Sequence, residues 1–402
     1  MITDNYSGLN LKLCLFSFIF FLTPISYSGL AINYSFVFFP FIYLFIKKRF
    51  FRPSKLIITL LVFYTLIFCF SSIYQINLFP RRLTSFLIFI SIFAFSFVKI
   101  GRNEVSAFKK SIILVSCYLS IKSIFLILSV GTDIGFLGKT LAGSQRIGFL
   151  YILSFFLVFI NFKKSNYSFS LKVSIIVLML IGILLTFNRS SIIAFLIVFV
   201  FYILFGYSKN RIKNFFSINF ILLIFGSIFF YLFTYYFGSA VVDFFLTRLN
   251  PDYIYDAALD NTSSTSVRIE IWKSIIEYVK SNPIMGSGFL GSWILTTVPE
   301  NSAHSQYFDI FFRTGFLGFI LWFLLTLKII IRLYKIDKAL FYGFLSIIIF
   351  GFFNETFKLS YGAFIYAFCL AYTFQYKKRT NFSKFIKKKE DEKNSNKLTS
   401  NC

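Results

Sequence analysis

The stretch LKVSIIVLMLIGILLTFNRSSIIAFLIVFVFYILFG, residues 171–206, holds two long apolar runs separated by a short polar turn. As α-helices rising about 1.5 Å per residue, the runs 171–187 and 190–206 would each extend roughly 25 Å, close to the roughly 30 Å hydrocarbon core of a bilayer. The turn between them contains Asn188 and Arg189. The stretch therefore predicts a tight helical hairpin that crosses a membrane twice, with Arg189 at its mouth.

Similar apolar segments recur along nearly the whole chain. Of its 402 residues 57% are hydrophobic and only 14% are charged, and a water-soluble domain with so little charge could not cover its surface. We predict an all-α integral membrane protein with about twelve transmembrane helices. The predicted segments are 9–27, 30–46, 56–73, 83–100, 111–130, 147–162, 171–187, 190–206, 217–237, 307–331, 339–354 and 360–376.

The basic residues indicate how these helices are oriented. Most of the 41 Lys and Arg residues flank the segments on one side, where Lys predominates. By the positive-inside rule this side is the cytoplasm, both termini are cytoplasmic, and the protein is multi-pass. The net charge of +25 then reflects topology and attraction to anionic membrane lipids, and no nucleic-acid-binding module accompanies it.

Arginine is the preferred cation on the opposite side. Its planar guanidinium binds phosphate or carboxylate through two hydrogen bonds, whereas Lys acts as a point charge. An external anion site is one interpretation, and contact with lipid headgroups is the other. The external arginines are Arg81, Arg82, Arg146, Arg189, Arg248, Arg268 and Arg313.

Lys122 lies near the middle of the predicted segment 111–130. A charge without a partner at this depth would cost a few kcal/mol. We expect Lys122 to face the interior of the helix bundle, where a partner would compensate it.

One long polar stretch interrupts the apolar pattern. Residues 238–306 are predicted to form a large, mostly helical periplasmic loop, and we assign residues 1–376 to a membrane domain that includes it. The basic, Asn- and Ser-rich tail 377–402 is expected to be disordered and cytoplasmic.

His304 is the only histidine of the chain, and it lies at the end of this loop, directly before the apolar run that starts at Tyr307. Imidazole is the side chain best suited to exchange a proton near neutral pH. This placement favours a catalytic role for His304. A surface histidine without function is the alternative.

Upstream of His304, the run STSVRIEIWKSIIEYVKSNP predicts a helix capped by Thr265 or Ser266 and ended by Pro283. Arg268 and Trp272 are four residues apart and so share one face of it. They are either part of a binding site or a cation–π pair that anchors the helix on the membrane.

The next segment, MGSGFLG, formally matches the Gly-x-Gly-x-x-Gly pattern of dinucleotide-binding sites, but no strand is predicted before it and no helix directly after it. We expect Gly286 and Gly288 to allow a tight turn or a close approach to a ligand.

Taken together, VRIEIWKSIIEYVKSNPIMGSGF (267–289) and ENSAHSQYFDIFFRTGFLGFILW (300–322) resemble the signature of the O-antigen ligase and O-antigen polymerase superfamily. The shared pattern is Arg–x3–Trp, Asn-Pro, Gly-x-Gly and then a His before a span that contains Gly-x-x-Gly. The turn TFNRSS is similar to the family's hairpin. The chain departs from the family at Ser305, where Asn is usual, at Arg313, where an acidic residue is frequent, and after Arg146, where an Asn-Pro-Asn-like segment is missing.

The resemblance implies a membrane glycosyltransferase of the C-type in the bacterial inner membrane, inverting, and free of metal and cofactor. Its donor would be a polyprenyl-pyrophosphate-linked glycan on the periplasmic side and its acceptor a second glycan, with membrane lipids and a chain-length regulator as further partners. By the same resemblance, His304 would be the general base, and Arg189 and Arg268 would bind the pyrophosphate. Substrate contacts are expected from Arg146, Trp272, Gly286, Gly288 and Ser305.

Within this superfamily we favour an O-antigen polymerase, which joins lipid-linked repeat units, because the external loop is compact. An O-antigen ligase, which transfers the glycan to lipid A core, is the first alternative. A polysaccharide flippase is the second, although a transporter would more often show related halves and charges within its spans.

Overall fold

The structure, a computed structural model, describes residues 51–74, 76–130, 147–162, 168–186, 188–206, 264–295, 303–357 and 361–375. These residues form an all-helical protein, with short 3₁₀ turns at Ile76–Leu78, Phe95–Phe97 and Ser292–Ile294. The α-helices are α1 Lys55–Tyr74, α2 Phe79–Ala94, α3 Arg102–Val130, α4 Gly148–Ile160, α5 Phe169–Leu185, α6 Arg189–Gly206, α7 Ser264–Ser281, α8 Gln306–Ile336, α9 Lys338–Phe350 and α10 361–375.

Every predicted apolar segment that falls on described residues is helical. Among the described residues, 3 helices are long and apolar enough to cross a membrane, namely Lys55–Ile73, Ile76–Phe97 and Gln306–Ile336. Four shorter apolar helices accompany them, Gly148–Ile160, Phe169–Leu185, Ser190–Gly206 and Lys338–Phe350. Segments 9–27, 30–46 and 217–237, the tail 377–402 and most of the predicted loop lie outside the described residues. The all-helical prediction is confirmed for the described residues, and their apolar helices are consistent with a membrane protein. The figure of about twelve spans stays a prediction.

Two helices, α4 and α10, form the middle of the described bundle. Residues 148–159 of α4 and 361–371 of α10 are buried throughout. Helices α3, α5, α6 and α9 pack around α4, while α8 contacts α1, α7 and α9. Helix α10 contacts both the helices around α4 and helix α8. Phe368 of α10 stacks on Phe108 of α3, and the Tyr366 hydroxyl lies 2.7 Å from that of Thr326 in α8.

Small and polar residues hold the central helices together. Ser154 of α4 donates to the Ser116 hydroxyl of α3 at 2.7 Å, and Gly148 packs directly against Ser191 of α6. In a bilayer the lipid tails are as apolar as the helix faces, so such close approaches and hydrogen bonds supply much of the association energy.

Helix α8 breaks at Gly315, where φ is 68° and ψ is −174°. The prediction of one continuous helix over 307–331 is therefore wrong. A short outer half-helix, 306–314, precedes a longer apolar helical segment, 316–336. At about 1.5 Å per residue the longer segment would extend roughly 30 Å, enough to cross a hydrocarbon core by itself.

The placement predicted for Lys122 is wrong. The side chain of Lys122 is exposed on α3, beside the exposed residues Tyr118, Ile121 and Phe125. That face points away from the buried stripe of α3, which includes Val115, Leu119 and Ser123. The apolar stem of a lysine can cover a helix face of this kind while its ammonium reaches toward a polar layer.

Candidate functional site

Helix α7 and the outer half of α8 form a small core of their own, separate from that of the bundle. Its buried members are Ile271, Ile275 and Val279 of α7, with Ala303 and Phe312. The helical spacing of the α7 residues turns one face of that helix onto the outer half of α8. The segment that contains His304 lies at this junction.

His304 adopts a left-handed backbone conformation, with φ of 50°. Such a conformation is uncommon for a residue other than glycine and persists only where surrounding contacts impose it. Those contacts act on Ala303. Its carbonyl accepts a hydrogen bond from the Trp272 indole at 2.9 Å, and its N–H donates to the carboxylate of Glu355.

The residues after His304 are anchored on the turn that follows α9. The Ser305 hydroxyl donates to the Gly351 carbonyl at 3.4 Å, and the Gln306 N–H donates to the same carbonyl at 2.8 Å. The Gln306 side chain accepts the Phe357 N–H at 2.6 Å. Ser305 and Gln306 are both buried, so the backbone of His304 is fixed on its two sides while its own side chain stays half-buried.

Trp272 contributes a second contact besides its hydrogen bond. Its ring stacks on Phe308 with centroids 4.8 Å apart and an angle of 7° between the rings. Arg268 is half-buried one turn earlier on α7, and the spacing of four places it on the same face as Trp272. The structure thus brings Trp272 to the segment that contains His304 and Ser305, and it places Arg268 one turn away from Trp272 on the same face of α7.

Residues 283–291, which follow α7 and are called the glycine loop below, pack into the break of α8. The Ser287 N–H donates to the Phe312 carbonyl at 2.7 Å, and the Phe316 N–H donates to the Pro283 carbonyl at 2.7 Å. The loop therefore satisfies backbone groups that the broken helix leaves without an intrahelical partner, as irregular backbone at membrane depth requires.

Gly286 and Gly288, both predicted to contact substrate, serve this packing. Their φ angles are 57° and 61°. A Cβ on Gly286 would lie 2.3 Å from the Phe312 carbonyl oxygen, and one on Gly288 would lie 2.0 Å from the Ser71 hydroxyl. The two glycines allow close approach to α8 and α1.

An ion pair crosses the outer half-helix. Nε of Arg313 lies 2.8 Å from both carboxylate oxygens of Asp309, and Nη1 donates to the Phe289 carbonyl at 3.2 Å. Glu355 is close enough to interact electrostatically with Arg313. Arg313 thus contacts the glycine loop and neighbours the carboxylate that holds Ala303.

The far end of α7 approaches α2. Burial raises the pKa of Tyr278, and the neighbouring guanidinium of Arg82 lowers it. Arg82 is itself buried and donates to the Ser71 carbonyl. The guanidinium of Arg82 lies beneath the surface and holds the outer ends of α1 and α2 together.

The predicted hairpin between α5 and α6 is present. Helix α6 begins at Arg189, and its cap is Asn188, whose side-chain oxygen accepts the Ser190 N–H at 2.9 Å. Ser191, in the first turn of α6, is buried against Gly148. The structure describes the backbone of Arg189 but not its side chain.

Contacts between helix ends place the start of α6 on the side of His304. Phe149 follows Gly148, the neighbour of Ser191, and its ring lies 5.6 Å from that of Phe350. Phe350 precedes Gly351, which anchors Ser305 and Gln306. Arg146, two residues before Gly148, lies outside the described residues.

Glu355 is the residue that sequence reasoning missed. The signal was present, since Glu355 stands alone between two apolar segments in a chain with 16 Asp and Glu residues. An acidic residue at such a position marks a functional or paired site by default. Within the described ranges, no three His, Cys, Asp or Glu side chains are grouped as metal ligands.

Residues 174–323 match the model of a protein family described as O-antigen ligase. The matched region runs from within α5 to within α8 and includes Arg189, Arg268 and His304, whereas Glu355 lies beyond it. No curated protein matches the chain significantly. The family match covers less than half of the chain, and together with the junction of α7 and α8 around His304 it supports the O-antigen ligase and O-antigen polymerase superfamily.

Proposed function

We propose that the chain is an O-antigen polymerase, a metal-independent, inverting glycosyltransferase that joins polyprenyl-pyrophosphate-linked oligosaccharides at the periplasmic face of the inner membrane. The family match supports a glycosyltransferase-like enzyme of the ligase and polymerase type that uses lipid-linked glycans in a membrane. The observation that carries the proposal is the single histidine, held in a strained conformation next to the Ala303 carbonyl that Trp272 binds.

In the proposed mechanism His304 takes the proton from the attacking hydroxyl of the acceptor. That oxygen forms the new bond at the anomeric carbon of the donor, while the bond from this carbon to the pyrophosphate oxygen breaks. The polyprenyl pyrophosphate leaves with the bonding electron pair. Imidazole is the side chain best suited to exchange a proton near neutral pH.

Arg189 and Arg268 would bind the pyrophosphate and stabilise the charge that it gains as the bond breaks. Fixed cations aimed at the developing charge are among the largest contributions to catalysis. Trp272, Ser305, Gly286, Gly288 and Arg146 would complete the substrate contacts. Trp272, Ser305 and the glycines also fix the backbone around His304, so their contribution includes shaping the site.

A polymerase is preferred over a ligase because the predicted external loop, 238–306, is compact. The ligase is the alternative within the same chemistry. The family match gives no support to a flippase and does not point to a chain-length regulator.

Deletion of the gene tests the proposal. Loss of a polymerase leaves the ligase of the cell free to transfer one repeat unit, so the lipopolysaccharide should show core plus one unit without a ladder. Complementation with His304→Ala, Arg189→Lys or Arg268→Lys should fail to restore the ladder although the protein accumulates in membranes. The lysine variants keep the charge but lose the planar, bidentate donor.

Lys273→Ala serves as the control, because Lys273 is exposed on α7 one residue after Trp272 and should restore the ladder. Bare core with long polymer on its lipid carrier would replace the polymerase by the ligase. A normal ladder with His304→Ala would remove the general-base role.

A further inference from the structure

Two described residues other than glycine have a positive φ, His304 at 50° and Phe289 at 71°. Both lie at the candidate site, one in the segment before α8 and one in the glycine loop. Left-handed backbone at such residues is strained, and its concentration at one site points to a functional constraint. Arg313 holds Phe289, and it lies on the half-helix that begins two residues after His304.

Arg313 binds both backbone groups of Phe289, its N–H and its carbonyl. The Phe289 N–H donates to the Arg313 carbonyl at 3.1 Å, and Nη1 of Arg313 donates to the Phe289 carbonyl at 3.2 Å. The pairing of Nε with both oxygens of Asp309 fixes the guanidinium in this orientation. The glycine loop is therefore tied to the outer half-helix by one side chain.

The connection to His304 runs through Glu355. This residue is only 8% exposed, and its carboxylate accepts the N–H of Ala303, which precedes His304. A buried carboxylate requires compensation by a cation or by several hydrogen bonds. Arg313 interacts electrostatically with Glu355 and supplies a cation of this kind.

We propose that Arg313 is a positioning residue for His304: its guanidinium and its carbonyl hold the glycine loop at Phe289 against the half-helix that begins two residues after His304. This inference rests on the proposed role of His304 as the base. Arg313 itself does not touch the reacting atoms. It fixes the proton-transfer group and the neighbouring loop relative to each other.

The test uses the full-length protein, purified in lipid nanodiscs, with a polyprenyl-pyrophosphate-linked oligosaccharide as substrate. In Arg313→Met, kcat should fall on the order of 10²-fold, as a misplaced catalytic group predicts, while KM stays unchanged. Arg313→Lys should retain more of kcat than Arg313→Met, because a lysine four residues after Asp309 keeps the ion pair but loses the hydrogen bond to the Phe289 carbonyl. A purely structural arginine would change protein yield and thermal stability without a selective loss of kcat.

Arg332→Met is the matched control. Arg332 lies on the same helix, at its other end, and stacks on Phe374 with 4.1 Å between the guanidinium carbon and the ring centroid. This variant should keep the kcat of the wild type. The double variant Arg313→Met with Glu355→Gln should lose no more activity than either single variant, because residues that act through one route are not additive.

The exchange of both charges, Asp309→Arg with Arg313→Asp, separates folding from positioning. It preserves an ion pair on the half-helix but presents a carboxylate to Glu355, so we expect a folded protein without activity. An active exchange variant would overturn the inference, as would wild-type kcat in Arg313→Met, an inactive but folded Arg313→Lys, or additive losses in the double variant. Activity in His304→Ala would instead refute the proposed function.

Discussion

The conformation of His304 is determined by its neighbours rather than by its own side chain. Ala303 is held by Trp272 on one side and by Glu355 on the other, and Ser305 is anchored at Gly351. Trp272 acts twice, as a hydrogen-bond donor and as a stacking partner of Phe308. A substitution that keeps the ring but removes the N–H separates these contributions.

Trp272→Phe should weaken the site without unfolding it. The variant keeps a ring that can stack on Phe308 but leaves the buried Ala303 carbonyl without its donor, which costs about 1–3 kcal/mol. We expect normal accumulation in membranes and a shortened or fainter glycan ladder. Trp272→Ala should lose the ladder altogether, because it removes the stacking contact as well. A full ladder with Trp272→Ala would show that the indole is dispensable for placing His304.

Residue-level reasoning from the sequence reached only part of this site. The spacing of Arg268 and Trp272 correctly predicts a shared helix face, and the lone histidine is conspicuous. The partner of Ala303 could not be found in this way, because Glu355 lies 52 residues further along the chain and binds a backbone group. Backbone acceptors and donors carry no residue-type signal.

At the scale of elements, the break in α8 is the feature that positions the site. Residues 307–331 form one continuous apolar run in the sequence, and periodicity gives no warning of an interruption at Gly315. The break is stable because a distant loop supplies partners for it, the Pro283 carbonyl and the Ser287 N–H. The hairpin between α5 and α6 was predictable because its turn and both of its helices are local.

Gly315→Ala should disrupt the junction between the glycine loop and α8. The backbone at Gly315 lies in a region of φ and ψ that is almost restricted to glycine, and an added Cβ would lie 2.6 Å from the Pro283 carbonyl oxygen. Backbone strain alone costs about 1–3 kcal/mol, and the steric clash adds to it. We expect a lower midpoint of thermal unfolding in detergent and loss of the ladder.

Gly101→Ala is the control for Gly315→Ala. The nearest atom to its new Cβ is the end of the Glu104 side chain, which can move aside at the cost of its hydrogen bond from the Gly101 N–H. Its unfolding midpoint should fall less than that of Gly315→Ala. Equal midpoints for both variants would mean that the break at Gly315 is not fixed by its backbone conformation.

At the scale of the whole molecule, the candidate site lies at one end of α8, and lysines such as Lys335 and Lys109 lie at its other end. The last turn of α8 contains Lys335, and Asp337, which follows the helix, pairs with Lys109 of α3. The side-chain oxygen of Gln375, at the end of α10, accepts a hydrogen bond of 2.8 Å from the Ile100 N–H. Ile100 lies two residues before the start of α3. The distance from Gly315 to Lys335 along α8 is roughly 30 Å at about 1.5 Å per residue, the thickness of a hydrocarbon core.

Reporter fusions should therefore place the two ends in different compartments. Lysine-rich segments stay on the cytoplasmic side during insertion, so the basic end should be cytoplasmic and the end with His304 periplasmic. Fusions at Lys48, Lys164, Ser208 and Lys378 should report a cytoplasmic location, and those at Asn188 and Leu259 a periplasmic one. Alkaline phosphatase, active only outside the cytoplasm, and green fluorescent protein, fluorescent only inside it, give opposite signals at each position. Activity of alkaline phosphatase at Lys164 together with fluorescence at Leu259 would invert the assigned orientation. His304 would then face the cytoplasm, away from a lipid-linked glycan presented on the periplasmic side, and its role as the base of a polymerase would no longer hold.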